Sequence, residues 1–158
     1  TIEDQNALWD ALISDKIDVI ATDHAPHTFN EKNQLYVDCP SGGPLVQHSL
    51  YIMYEHFLEK RISLEKIVEK MCHNPAILFN IKKRGFIREG FFADLVILRK
   101  NQSWVINKNN ILYKCGWSPF EGKKINSMIT HTFVCGNLAY ENGVFNQNIM
   151  GKKIEFIS

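Results

Sequence analysis

The stretch that most constrains the fold is Asp18-Val19-Ile20-Ala21-Thr22, followed at once by Asp23-His24-Ala25-Pro26-His27. It comes directly after a helical pattern over residues 3–15, where Leu8, Ala11 and Leu12 fall at i, i+3 and i+4. Thr1 and Asp4 have the form of a capping box for that helix. A short apolar run rich in β-branched residues, placed just behind a helix, predicts a buried parallel strand, because parallel strands are covered on both faces. Pro26 has no amide N–H to give to a ladder, so the chain must leave the sheet there. One carboxylate and two imidazoles then stand at the C-terminal end of a strand, where parallel α/β folds build their sites.

The remaining patterns divide the chain near Gly85. Residues 23–44 read as one long loop, of the length that compact domains keep for function. A helix is expected over Leu45–Lys60, with Val46, Leu50, Met53 and Phe57 on one face. Another starts at Ser63 as N-cap, with Leu64, Ile67, Val68 and Met71 as its stripe. Asn74-Pro75 reads as the start of a short helix, Asn capping and Pro in the first turn. Beyond Gly85 the period shortens. Strands are expected at Ala93–Arg99, Ser127–Cys135 and Leu138–Glu141, with Gly136-Asn137 and Asn142-Gly143 as two-residue turns. Trp104 and Trp117 read as packing for this β-rich part.

Composition removes several classes of function. Eighteen Lys and Arg against seventeen Asp and Glu leave a formal charge of +1, which argues against nucleic acid or an acidic membrane as partner. Lys82-Lys83-Arg84 and Lys123-Lys124 read as solvated surface. No apolar run approaches the ~18 residues of a membrane span. Ten Phe, five Tyr and three Trp supply too much buriable surface for a disordered chain. Cys39, Cys72, Cys115 and Cys135 form no C-x-x-C pair, so they read as free thiols of a reducing cytoplasm. A phosphate-binding glycine loop and a G-x-S-x-G elbow are both absent. Thr1 stands where a start Met would, which suits a segment of a longer protein.

By residue type alone, Asp23 can ligate a divalent cation, and His24 or His27 can do so through a ring nitrogen. The same D-H-x-x-H spacing also describes a polar turn capping a strand, and spacing leaves both readings open.

The longer run Ile17–Lys32, IDVIATDHAPHTFNEK, resembles the strand-eight signature of the dihydroorotases of the amidohydrolase superfamily. Four further stretches are similar to that family in the expected order. They are Cys39-Pro40-Ser41-Gly42-Gly43-Pro44-Leu45, Asn74-Pro75-Ala76, the run from Gly85-Phe86-Ile87 to Ala93-Asp94-Leu95-Val96, and Pro119-Phe120-Glu121-Gly122. The resemblance implies an α/β fold. Residues 1–84 would form the last strand–helix units of a TIM-type (β/α)₈ metallo-dependent hydrolase barrel, and 85–158 part of a small β-rich flanking module. It implies zinc, one or two ions per full-length subunit, with Asp23 as ligand and proton shuttle. His27 would meet the substrate carboxylate, and Ser41 and Gly42 the pyrimidine ring. His24 has no counterpart role and reads as a structural hydrogen-bonding residue. The implied reaction is the interconversion of N-carbamoyl-L-aspartate and dihydroorotate in pyrimidine biosynthesis. It needs a metal to activate water and polarise the carbonyl, and a carboxylate to move the proton.

The chain has no His-x-His, so the other metal ligands are expected in the rest of the parent barrel, and this segment by itself is expected to be inactive. A homo-oligomer is compatible with the resemblance. Two alternatives stand beside it: a non-catalytic scaffold that partners aspartate carbamoyltransferase, and a dihydropyrimidinase- or hydantoinase-type hydrolase.

Overall fold

The computed structural model describes residues 1–157 of the chain. The elements run α1 (Ile2–Ile13), α2 (Phe29–Lys32), α3 (Ser49–Leu58), α4 (Leu64–Val68), a π-helical turn (Glu69–His73) and α5 (Asn74–Leu78). Four strands follow: β1 (Leu95–Val105), β2 (Lys124–Val134), β3 (Asn137–Glu141) and β4 (Val144–Phe145). They form one sheet in the order β1-β2-β3-β4, and the β2–β3 and β3–β4 pairs are antiparallel. The chain separates into two compact units. Among the described residues no helix is long and apolar enough to cross a membrane.

The first unit takes Thr1–Ile20, Lys60–Arg99 and the residues from Ile129 onward. Its first helix begins as expected. The Thr1 hydroxyl accepts from Asp4 N–H, and the Asp4 carboxylate accepts from the Thr1 amine at 2.8 Å. Of the anticipated stripe, Leu12 is buried and Leu8 is exposed.

Ser63 caps α4 by accepting from Lys66 N–H. Asn74 does not cap a new helix, because helical backbone continues from α4 through the π turn into α5. Within the π turn the Asn74 N–H reaches back to the Glu69 carbonyl. The next residue, Pro75, has no N–H to offer. The Lys70 carbonyl is thereby left free, and the Ile20 N–H donates to it at 3.1 Å.

The expected strand over residues 18–22 has no regular secondary structure and carries no ladder. A parallel strand needs a neighbouring strand to pair with, and the described residues supply none. Helical residues satisfy its backbone instead. Lys70 Nζ donates to the Ile17 carbonyl at 2.7 Å, and Asn74 Nδ2 to that of Asp18 at 2.8 Å. Lys70 is almost wholly buried, and its charge is met by Asp15 at 2.8 Å. The Asp15 carboxyl is held down at about 2 by hydrogen bonds from Lys66 first and Lys70 second.

In the same unit the β2–β3 hairpin turns at Cys135-Gly136, one residue earlier than the sequence suggests, with Val134 opposite Asn137. Both turn residues are left-handed, at φ +51° and +81°, as a two-residue hairpin requires. The turn is fastened by Gly136 N–H to the Ala93 carbonyl and by Cys135 N–H to the Asp94 carboxylate, which also pairs with Arg84. The second turn, Asn142-Gly143, lies where expected, between Glu141 and Val144.

The second unit takes Ala21–Glu59 and Lys100–Met128. α3 is shorter than the pattern predicts, since residues 45–48 form turns and Val46 is exposed. Its buried residues are Tyr51, Met53, Tyr54 and Glu55; of the expected face Met53 is buried, and Leu50 and Phe57 are half-buried. Ile106 and Ile125 are fully buried in this unit. Glu55 has no cation; its two oxygens accept from the backbone N–H and the side-chain amide of Asn126, each at 2.7 Å. The Trp104 indole N–H donates to the Ser127 carbonyl at 2.7 Å, and its ring meets Tyr51 edge-on. β1 and β2 run longer than predicted.

Candidate active site

All four residues singled out by the sequence fall in the second unit. Asp23 has a left-handed backbone, φ +44°, an uncommon conformation for a residue other than glycine. Its side chain is exposed and makes no hydrogen bond or ion pair among the described residues. The next residue, His24, is exposed as well. His24 forms a parallel bridge with Gly43, and Ala25 N–H donates to the Gly43 carbonyl at 3.0 Å. The glycine-rich loop therefore lies along the segment that carries Asp23.

Gly42 sets how closely the two can approach. At φ +79° it occupies a conformation costly to any residue with a Cβ. A Cβ there would lie 2.7 Å from the Ala25 Cβ, 3.3 Å from the Asp23 carbonyl oxygen and 3.8 Å from Asp23 Oδ2. Asp23 and Gly42 are thus in van der Waals range, and Ser41 is the exposed residue beside them.

The intervening chain is held by a short helix that the loop expectation missed. Thr28 caps α2 and exchanges a capping box with Glu31, with Thr28 N–H to Glu31 Oε2 at 2.6 Å and Glu31 N–H to Thr28 Oγ at 3.3 Å. The Thr28 hydroxyl is the main reason the Glu31 carboxyl sits below its ordinary range. Lys32 Nζ then binds the Pro40 carbonyl, closing the excursion just before Ser41. The T-x-x-E signature at Thr28 to Glu31 is the sequence signal for this helix.

His27 is held by its backbone. Its N–H donates to the Ala25 carbonyl at 2.9 Å, and its carbonyl accepts from the Trp117 indole at 2.8 Å. The imidazole itself makes no hydrogen bond among the described residues. Trp117, expected to be packing, is a clamp on the site loop from 90 positions away, and no local pattern announces that role.

His24 accepts at Nδ1 from the N–H groups of Leu45 at 3.1 Å and Val46 at 3.3 Å. Its ring lies 5.2 Å from that of Tyr113, whose hydroxyl oxygen accepts from Gln47 N–H at 2.7 Å. Gln47 in turn binds the backbone of Asn110 and Leu112. His48 is fully buried among the rings of Tyr113, Phe120 and Trp104. Desolvation pushes its pKa down. Its Nδ1 meets the Ser118 hydroxyl at 3.1 Å, and that hydroxyl oxygen accepts from Phe120 N–H. The Pro119–Gly122 turn is therefore a cover for His48 rather than a source of reactive groups.

Chemically, the arrangement offers one free carboxylate, one free imidazole and a glycine loop packed against the carboxylate. Asp23 suits a cation as a single oxygen ligand, since nothing else occupies it. Among the described residues no group of three His, Cys, Asp or Glu side chains is arranged to hold a metal ion. The rest of such a site, at least three further ligands for zinc, has to come from elsewhere.

Comparison with known proteins places these features in a family. The profile of the Amidohydrolase family matches residues 2–139. The Multifunctional protein pyr1-3 of Dictyostelium discoideum is 38% identical over 143 residues, covering 90% of this chain and 6% of that protein. A dihydroorotase of Endomicrobium trichonymphae is 36% identical over 140 residues, covering 88% of this chain and 33% of its own length. Among solved structures, a D-hydantoinase superposes with a TM-score of 0.84 at 25% identity, over 92% of this chain and 33% of that one. The chain spans about a third of the dihydroorotase and hydantoinase it matches.

Proposed function

The chain belongs to the amidohydrolase family, and from that premise we propose that the whole protein is a zinc-dependent dihydroorotase. In this reading residues 1–84 complete a (β/α)₈ barrel, 85–158 belong to its β-rich flanking module, and the protein works in the cytoplasm on the dihydroorotate–carbamoyl aspartate pair. The observation that carries the reading is the Asp23 carboxylate, exposed, unpaired among the described residues and set against Gly42, within a chain whose sequence relatives include dihydroorotases.

Asp23 is the ligand this chain supplies to zinc. When bound, the metal contributes activation of water and polarisation of the ring carbonyl. Asp23 takes a proton from the attacking water onto its carboxylate and returns it to the departing ring nitrogen, which is otherwise a poor leaving group. The His27 imidazole, which makes no hydrogen bond among the described residues, binds the substrate carboxylate. Ser41 and Gly42 offer backbone groups to the ring, and the bare Gly42 lets the ring come close. In the synthetic direction the same proton path runs backwards as the ring closes with loss of water.

The hydantoinase likeness supports a second reading, a hydrolase of hydantoins or dihydropyrimidines. The free imidazole at position 27 favours a substrate with its own carboxylate. The test uses the full-length, zinc-loaded protein. Dihydroorotate should turn over, and hydantoin and dihydrouracil should not. Asp23→Ala should cost about 10²–10⁴-fold or more in rate. Turnover of hydantoin or dihydrouracil without dihydroorotate would install the second reading. Undiminished activity in Asp23→Ala would remove the carboxylate from the mechanism.

A further inference from the structure

We propose that His24 is a positioning residue whose Nδ1, by accepting from the backbone N–H groups of Leu45 and Val46, fixes the Ser41–Gly42 loop beside Asp23. The inference rests on the reading of Ser41 and Gly42 as substrate contacts and adds what holds them in place. One ring nitrogen receives both donors, so it carries no proton, and the ring N–H of the neutral imidazole is on Nε2. Nδ1 is thereby withdrawn from metal binding. The histidine next to the candidate ligand therefore ties down the loop and does not ligate.

The loop meets the Asp23–Ala25 segment on both sides of Pro44, just after Gly42. Before Pro44, Ala25 N–H holds the Gly43 carbonyl; after it, His24 holds two successive amides. Pro44, buried and fixed in φ, passes any displacement of Leu45 back to Gly43. Tyr113 packs on the His24 ring and takes the next amide, Gln47 N–H, so three consecutive donors end on side chains. Val46 is exposed, so water can replace His24 as its acceptor. Loss of His24 then loosens the loop without unfolding the unit, and the effect appears in substrate affinity.

Three variants of the full-length, zinc-loaded protein separate the possibilities. H24N carries an acceptor where Nδ1 stands, H24Q carries one near Nε2, and H24A carries none. H24A and H24Q should raise KM for dihydroorotate about 5- to 20-fold, the loss of one or two modest hydrogen bonds, with kcat and zinc content little changed. H24N should restore most of the affinity. Amide exchange in a peptide spanning residues 40–48 should quicken in H24A and H24Q and stay slow in H24N. Unchanged KM in H24A, rescue by H24Q instead of H24N, or loss of zinc with loss of kcat would each overturn the proposal. If the wild-type protein does not process dihydroorotate, the functional reading fails, and the exchange pattern still decides whether His24 ties the loop.

Discussion

The two units of the chain bury polar groups by opposite means. In the first, Lys70 is sunk beneath the helical segment and neutralised by Asp15, with Lys66 and Glu69 extending the pairings at 2.7–2.9 Å. In the second, the buried polar groups are His48, Ser118, Ser127 and Glu55, and the carboxylate among them meets an amide side chain and a backbone N–H in place of a cation. The contrast follows from what each backbone can do for itself. Helices satisfy their own amides, so side chains of the first unit serve chiefly the stretch at Ile17–Asp18, the helix starts and the hairpin turn. The loops of the second unit have little ladder; their N–H groups are answered by His24, Tyr113 and Gln47, and the His27 carbonyl by Trp117, across 21 to 90 positions of sequence. A site loop built this way is accurate without being regular, and it depends on residues far from it in sequence.

The strongest way to break the contrast is at Glu55. Glu55→Ala strands two donors of Asn126 in a buried place, and the full-length protein should lose about 2–4 kcal/mol of stability in denaturant unfolding. A loss under 1 kcal/mol would mean that the second unit does not rely on this link.

An acid series sharpens the contrast. The His48 pKa is depressed below 6.5 by burial, so its contribution is complete above that value and is lost as pH falls below it. Asp15 is depressed from 3.8 to about 2, so its contribution persists above 3.8 and fades only between 3.8 and about 2. Exchange rates corrected for intrinsic pH dependence should therefore rise around residues 45–59 before they rise around residues 60–78. The reverse order would contradict the assignment of ionic and neutral roles.

The smallest effect is expected at Lys66. Its pair with Asp15 is largely open to solvent on the acid side, and Lys70 still holds Asp15 when Lys66 is gone. Lys66→Ala should cost little, readable as a small shift in the unfolding midpoint. A larger loss would show that the ion cluster acts as one body.

Signals confined to a few neighbouring residues were legible in the sequence. The Thr1–Asp4 box, the Ser63 cap and the Asn142-Gly143 turn are local chemistry and occur where residue types place them. Cys135-Gly136 was hidden because Gly136-Asn137 offers two residues that favour left-handed backbone, whereas the ladder puts Asn137 in the strand and forces Cys135 to φ +51°. The helix start at Asn74 was misplaced because Pro75 also suits a π turn in which a neighbouring carbonyl finds a distant donor. The nearness of Asp23 and Gly42 has no local signal in the sequence, and neither have its supports. Trp117 and Tyr113 look like core aromatics in sequence, and their polar tips find partners only once the chain has folded.

The packing at Gly42 limits how this loop can be re-engineered. Any side chain introduced there presses on Ala25 and on the main chain of Asp23 before it reaches a ligand. A variant at 42 thus reports a shifted carboxylate rather than a missing contact, and its kinetics cannot be read as the worth of the glycine. The neighbouring Ser41 faces solvent and carries no such constraint, so it is the position at which the proposed ring contact can be varied freely.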